Sequence, residues 1–251
     1  MKFFKLTVMI LLGAMLLFSV CRIYCYYSTE TKVEKEFNDL AKQIRSSPII
    51  EDSETKFEQP TDAFYDVYGT LKEQNSDMVG WIVIDGTNIN YPVMHTPNNP
   101  DYYLKHNFEK KYSNYGVPYV DNNCSLDPQS TNLIIYGHHM KGGKMFGALE
   151  GYKSMKFYQN HSIIRFDTLI DRSGKYQIIA VFTIDPANFL FNRFVETGDE
   201  DEFDEYIHRC KELSFYDTGV DAQLGDKLIT LSTCEYSQRD NRLVVVAKKI
   251  E

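Results

Sequence analysis

Residues 228–247 run Leu228-Ile-Thr-Leu-Ser-Thr-Cys-Glu-Tyr-Ser-Gln-Arg-Asp-Asn-Arg-Leu-Val-Val-Val-Ala247. An apolar, β-branched segment ends in Ser232, Thr233 and Cys234, and a second apolar segment begins at Arg242. Two such segments joined by a short polar connection predict neighbouring β-strands. The pattern therefore brings Cys234, at the end of one strand, close to Arg242, at the start of the next.

A thiol beside a permanent cation has a definite chemical use. The cation stabilises the thiolate and, later in a reaction, an oxyanion. The alternative for an isolated pair of this kind is a core cysteine and a surface arginine, because free cysteine is among the most buried residue types. The choice between the two depends on whether a proton-transferring residue accompanies the pair.

A second strand pattern, Asn132-Leu-Ile-Ile-Tyr136, leads directly into Gly137-His138-His139-Met140. Glycine followed by histidine places an imidazole at a strand end, on a backbone that can turn tightly. Alone, such a histidine is more often a loop residue or a partly buried one. Together with Cys234 and Arg242, His138 supplies the general acid and base that the pair lacks.

Several ordered motifs accompany these residues. In chain order they are Val79-Gly-Trp-Ile-Val-Ile84, Gly86-Thr-Asn-Ile-Asn-Tyr-Pro-Val-Met94, Tyr102-Tyr-Leu104, Tyr136-Gly-His-His-Met140, Lys144-Met-Phe146, Leu231-Ser-Thr-Cys234 and Arg242-Leu-Val-Val-Val-Ala247. Together they closely resemble the sortases, cysteine transpeptidases of Gram-positive bacteria, and specifically class B. The resemblance extends from about Asn75 to the C-terminus. It implies that His138, Cys234 and Arg242 take the three catalytic positions. His139 is the less suitable neighbour, since the histidine of the family directly follows the glycine.

The resemblance also implies a reaction. The Cys234 thiolate attacks the carbonyl of a threonine-type residue in a C-terminal sorting signal, and the thioacyl-enzyme passes the protein to an amine nucleophile of the cell wall. His138 transfers the protons, and Arg242 binds the substrate carbonyl and the oxyanion. The substrate contacts that the resemblance implies are Leu104, Tyr136, Phe189, Leu190, Ser232, Thr233 and Glu235.

Three other functions fit parts of the pattern. A pilin-polymerising class B sortase would join subunits through a lysine amine, and a cysteine protease would hydrolyse the thioester. A non-enzymatic surface adhesion module would not require the Cys-His-Arg set. A net charge of −8 argues against a nucleic-acid partner. No metal or cofactor is expected, because adjacent histidines point apart on an extended chain and no second Cys/His cluster completes a zinc site.

The domain from residue 75 to 251 is predicted to be mainly β. Its strand patterns are Gly80–Ile84, Asn88–Val93, Gly116–Val120, Asn132–Tyr136, Ile163–Asp167, Tyr176–Ile184, Lys227–Cys234 and Arg242–Lys249. Eight short strands favour a closed barrel, which leaves no exposed edge. Helical patterns interrupt them at Phe146–Tyr152 and Asp199–Leu213. The resemblance implies the sortase-type eight-stranded β-barrel, with N-terminal helices and a helix inserted before the cysteine strand.

The first 27 residues are predicted to be a signal or membrane anchor. Lys2 and Lys5 precede an apolar run from Leu6 to Cys21 that is nearly long enough to cross a bilayer as a transmembrane helix. The lysines favour an N-terminus inside the cell and a catalytic domain outside. We therefore expect a single-pass protein of the cell membrane with an extracellular catalytic domain.

Residues 28–74 are predicted to form a helical stalk and linker. Apolar residues at helical spacing indicate an amphipathic helix at Thr31–Arg45, followed by an acidic linker at Ser46–Pro60 and a second helix at Ala63–Gln74. The five cysteines are odd in number and irregularly spaced, which does not indicate a disulfide framework. Cys124 and Cys210 are expected to be free thiols.

Overall fold

The computed structural model describes residues 2–45, 62–168, 174–234 and 241–250. The chain divides into two compact units, residues 1–43 and 44–251. Helix α1 (Lys2–Arg45) is continuous, so the amphipathic segment predicted at Thr31–Arg45 is the end of this helix and not a separate one. The reason is local, since neither glycine nor proline occurs between Gly13 and Arg45 to interrupt the helix. The predicted linker at Ser46–Pro60 lies outside the described residues.

The N-terminal part of α1 is a candidate membrane span. Residues Phe4–Tyr24 have a mean hydropathy of 2.3, and no part of that window is buried. Large apolar side chains such as Leu17 and Phe18 are about two-thirds exposed or more. An exposed apolar surface of this length matches the hydrocarbon thickness of a bilayer.

The second unit contains helix α2 (Asp62–Gln74), as predicted, and a β-barrel. Its strands are, in chain order, β1 (Met78–Val83), β2 (Asn90–Met94), β3 (Tyr119–Val120), β4 (Asn132–Tyr136), β5 (His139–Met140), β6 (Lys144–Met145), β7 (Ile163–Thr168), β8 (Lys175–Ile184), β9 (Leu228–Cys234) and β10 (Arg242–Lys249). The order around the closed barrel is β1-β2-β3-β4-β9-β10-β8-β7. The pairs β2–β3 and β4–β9 are parallel and the others antiparallel. The predicted eight-stranded barrel is confirmed.

Several elements differ from the sequence pattern. Strand β3 begins at Tyr119 and not at Gly116, because Gly116 has a φ of 60° and cannot continue an extended strand. The helical pattern at Phe146–Tyr152 forms a 3₁₀-helix, Phe146–Lys153. It is followed by a short helix, α3 (Met155–Asn160), which the sequence pattern missed.

The predicted helix before the cysteine strand is α4 (Glu200–Leu213). Its N-terminus is capped by Asp199, whose carboxylate accepts a hydrogen bond from the Glu202 amide at 2.9 Å. Four side chains on one face are buried: Phe203, Tyr206, Ile207 and Cys210. They share one apolar cluster with residues of β8, β9 and β10, including Phe182 and Val244. Burying a side chain as large as Phe203 stabilises the fold by about 1.5–3 kcal/mol.

Cys124 and Cys210, both in the barrel unit, agree with the prediction of free thiols. Cys124 and Cys210 are buried and unpaired with each other. Burial raises the pKa of each thiol to about 12. Neither is therefore a thiolate at neutral pH.

Candidate active site

One end of the barrel brings Cys234 and Arg242 together. Strands β9 and β10 are antiparallel, with Arg242 opposite Cys234 and Val244 opposite Ser232. On its other edge Arg242 is opposite Ile184, the last residue of β8. Residues that oppose one another across an antiparallel pair lie on the same face of the sheet, with Cβ atoms about 5 Å apart. Arg242 is half-buried there.

The parallel pairing of β4 with β9 brings the histidine segment to the same rim. Tyr136 is in register with Ser232, and the Gly137 amide donates a hydrogen bond to the Ser232 carbonyl at 3.1 Å. The hydrogen bonding between β4 and β9 therefore continues one residue beyond β4 and places His138 beside the end of β9. Glycine is required at position 137, because a Cβ there would lie 2.6 Å from the ring of Phe146, which is fully buried.

The ring of His138 is fixed by a backbone carbonyl. Its Nε2 lies 2.7 Å from the carbonyl oxygen of Leu104, which ends a short 3₁₀ turn, Tyr102–Leu104. A carbonyl can only accept, so Nε2 must carry the hydrogen. The His138 carbonyl in turn accepts from the Phe146 amide at 2.9 Å. Both the backbone and the ring of His138 are thereby held.

The surroundings of His138 lower its pKa below the ordinary 6.5. Burial is the main cause, because it disfavours the charged imidazolium. The hydrogen bond to the Leu104 carbonyl opposes this effect, and the positive charge of Lys105 adds to it. The neutral imidazole is therefore the favoured form near neutral pH.

Tyr136 belongs to a polar network beside the rim. Its hydroxyl donates to a carboxylate oxygen of Asp121 at 2.9 Å, and Asn192 donates a side-chain hydrogen bond to it. Burial raises the pKa of Tyr136. Its ring also lies 5.6 Å from that of Tyr119. The network joins β4 to the connection between β8 and α4, and the sequence pattern did not indicate Asp121 or Asn192.

Phe189 and Leu190 lie in that connection. The Phe189 ring is half-buried between Phe182, at 6.1 Å, and Tyr206, at 5.8 Å, measured between ring centroids. Leu190 is 45% exposed. Both residues border a groove of 480 Å³ along α4. An exposed apolar side chain at such a groove is available to a ligand.

The remaining predicted substrate contacts are Ser232, Thr233 and Glu235, and the structure describes the first two of them. Ser232 and Thr233 are buried, and their hydroxyl oxygens have no hydrogen-bond partner among the described residues. Glu235 lies outside those residues. His139 is half-buried and pairs with Met145 in the β5–β6 hairpin. Within the described ranges, no group of three or more His, Cys, Asp or Glu residues is arranged to hold a metal ion.

Comparisons with a family model, with a named relative and with solved structures all indicate the same family. The model of the sortase domain matches residues 82–250. The chain is 35% identical to sortase B of Staphylococcus aureus over 189 residues, which cover 73% of this chain and 75% of that protein. The structure of a Staphylococcus aureus sortase B–substrate complex is 28% identical, with a TM-score of 0.71, and the match covers 88% of this chain and 94% of that one. A structure of sortase B complexed with triglycine is 27% identical, with a TM-score of 0.76, over 88% and 99% of the two chains.

The chain belongs to the sortase family, and within it to the sortase B group of cell-wall transpeptidases. The matched residues contain β4, β9 and β10, the three strands whose ends form the candidate site. The resemblance of the ordered motifs to class B sortases is thereby confirmed.

The lowered pKa of His138 leads to a prediction about pH. As the pH falls below 6.5, the unfolded chain binds a proton at this position before the folded chain does, so the free energy of unfolding decreases. We expect the NMR resonances of His138 to titrate with a midpoint below 6.5. We also expect the His138→Gln variant to gain stability relative to the wild type as the pH falls. A midpoint above the ordinary value would show that burial does not dominate the environment of this ring.

Proposed function

We propose that this protein is a membrane-anchored cysteine transpeptidase in which Cys234, His138 and Arg242 carry the reaction. The observation that supports this most directly is the strand register at the barrel rim. Cys234 is opposite Arg242, and the residue before His138 is hydrogen-bonded to Ser232. This register supports a shared rim for the proposed nucleophile, proton carrier and permanent cation.

The proposed reaction has two acyl transfers. The thiolate of Cys234 attacks the carbonyl of a threonine-type residue in a sorting signal, and the C–N bond breaks to give a thioacyl-enzyme and a free amine. Neutral His138 first takes the thiol proton of Cys234, gives it to the leaving amine and later accepts one from the incoming amine. The incoming nitrogen displaces the sulfur, which leaves as a thiolate and regains a proton from His138. Arg242 donates hydrogen bonds to the oxyanion of each tetrahedral intermediate.

Two relatives support the proposed substrates. A Staphylococcus aureus sortase B has been solved with its substrate, and another sortase B with triglycine. The free α-amino group of triglycine is an amine of the kind that could resolve a thioester. We propose that the acceptor here is a cell-wall amine. The rival acceptor is a pilin lysine amine. We also propose that Leu190, at the edge of the groove along α4, forms one wall of the site that binds the sorting signal.

The N-terminal helix supports the proposed location. Residues Phe4–Tyr24 are long enough and apolar enough to cross a bilayer. Lys2 precedes this segment, and Lys5 is its second residue. Positive charge is retained on the cytoplasmic side of a first span. The proposed arrangement therefore has a single span, with the barrel outside the cell, where its acceptor lies.

A peptide library incubated with and without triglycine tests the reaction. The wild-type protein should cleave a preferred sorting peptide, form a thioacyl adduct on Cys234 and, with triglycine, release a peptide joined to glycine. Cys234→Ala should abolish all three products, because the thioester requires the sulfur atom. Mass spectrometry of the protein and of the peptides measures each product.

The matched control is Cys124→Ala, which removes a thiol whose pKa burial raises to about 12. This variant should keep its turnover in spite of some loss of stability. Hydrolysed peptide in place of the glycine adduct would identify a cysteine protease. Turnover by Cys234→Ala would refute the mechanism.

A second prediction concerns Arg242. Arg242→Lys keeps the positive charge but loses the planar pair of donors, so the oxyanion loses a hydrogen bond. We expect turnover to fall by roughly 10²–10³-fold with the thioacyl adduct still detectable. Arg165→Lys, on β7, is the control and should behave as the wild type. Equal turnover in the two variants would remove Arg242 from the mechanism.

The third prediction compares the two adjacent histidines in one assay. His138→Ala should lower turnover by about 10²–10⁴-fold, the usual contribution of a general acid and base. His139→Ala should be mild, because His139 pairs within the β5–β6 hairpin and not with the β4–β9 ladder. If His139→Ala lowers turnover much more than His138→Ala does, the catalytic role belongs to His139 and not to His138.

A further inference from the structure

A backbone carbonyl, and not a side chain, holds the ring of His138 in this structure. We propose that Tyr103, Leu104 and Gly116, here called the histidine support, fix the proton of His138 on Nε2 and so make Nδ1 the atom that exchanges protons with the substrate. The proposal rests on the proposed function, in which His138 is the proton carrier. It assigns positioning roles to Tyr103 and Gly116, which do not touch the substrate themselves.

Gly116 is the first part of the support. It adopts a φ of 60°, and a Cβ at this position would collide with the Tyr103 carbonyl oxygen. The same Cβ would lie 3.0 Å from the Leu104 carbonyl oxygen and 3.2 Å from His138 Cδ2. The Val117 amide donates to the Tyr103 carbonyl at 3.0 Å. The backbone of Gly116 therefore packs against the Leu104 carbonyl and against the His138 ring that this carbonyl holds.

Tyr103 is the second part. Its side chain is fully buried, and its hydroxyl accepts a hydrogen bond from Asn75 Nδ2 and donates one to Asp77 Oδ2, both at 2.8 Å. Lys110 lies 2.8 Å from the same Asp77 oxygen. Asn75 also donates to the Phe108 carbonyl at 2.7 Å. These hydrogen bonds connect Tyr103, the residue before Leu104, to the residues that directly follow α2.

The consequence for the reaction follows from the donor and acceptor roles. With Nε2–H donated to Leu104, neutral His138 carries its lone pair on Nδ1. Nδ1 takes the thiol proton of Cys234 as the sulfur attacks, and the resulting imidazolium gives this proton to the leaving amine nitrogen as its C–N bond breaks. The N–H electron pair stays on Nδ1. Nδ1 then takes a proton from the incoming amine. The Nε2 proton stays in its hydrogen bond to the Leu104 carbonyl throughout, so the ring does not have to turn between the two steps.

The test measures the tautomer of His138 directly, in the full-length chain in detergent micelles with ¹³C,¹⁵N-labelled histidine. The wild type should show the Nε2–H tautomer at a pH where the ring is neutral. Tyr103→Phe removes the hydroxyl that joins Asn75 and Asp77, and should increase the Nδ1–H population. Turnover of the peptide selected from the library should fall by up to about 10²-fold, as expected when a catalytic group is misplaced.

The matched control is Tyr102→Phe, the same change one residue earlier. The Tyr102 hydroxyl makes a 3.4 Å contact with the Lys110 carbonyl at the surface, and its loss should leave both tautomer and turnover unchanged.

A second pair of variants separates the effect of the contacts at Gly116 from the effect of strain in its backbone. Gly116→Ala should shift the tautomer, whereas Gly219→Ala should not, because Gly219 has a similar φ of 71° but no atom within 4 Å of the added Cβ.

Two results would overturn the proposal: a wild-type ring protonated on Nδ1, or a loss of turnover in Tyr103→Phe and Gly116→Ala with no change in tautomer. The second result would mean that both residues act only on stability. The tautomer is read in the resting protein, so it is independent of the proposed transpeptidation. An Nε2–H tautomer that responds to both substitutions, in a protein that transfers no peptide, would uphold the support and reject the function.

Discussion

The candidate site depends on β9, which is paired on both of its edges. Its parallel partner β4 ends at the same rim as β9, and its antiparallel partner β10 begins there. Strand pairing thus brings the backbone of His138, Cys234 and Arg242 to one rim. A slip of one residue in either pairing would transfer alternate residues to the opposite face of the sheet. The register of β9 is therefore the constraint that the proposed chemistry requires.

Buried polar contacts stabilise that register. Asn132, in β4, is fully buried, and its Oδ1 accepts from the Thr230 hydroxyl of β9 at 2.9 Å. Its Nδ2 donates to the Phe194 carbonyl at 2.9 Å. A shifted strand would leave these groups without partners, at a cost of about 1–3 kcal/mol for each unsatisfied group. Helix α4 contacts Asn132 through the Tyr206 hydroxyl, at 3.4 Å, and Tyr206 also lines the groove along α4.

The sequence predicts best where periodicity and residue type act locally. The bounds of β4 and β10 match their patterns, because β-branched runs there are limited by polar residues or by glycine. The support of His138 could not be predicted, since a carbonyl carries no residue-type signal and Leu104 is distant in sequence. Gly116 did carry a signal: a glycine within a predicted strand indicates a close approach of another backbone. The predicted strand Gly116–Val120 includes this glycine as an ordinary strand residue instead.

In the proposed mechanism, His138 and Arg242 have different electrostatic roles. A carboxylate beside the imidazole would favour the imidazolium, whereas the neutral Leu104 carbonyl orients the ring and adds no net charge. With burial as the larger effect, the neutral form of His138 is favoured near neutral pH, so in the proposed mechanism it can accept the thiol proton of Cys234. Positive charge for the oxyanion must then come from a group that does not titrate, and a guanidinium satisfies this requirement. In the proposed mechanism, Arg242 can therefore be close to the thiol without depending on the protonation state of His138.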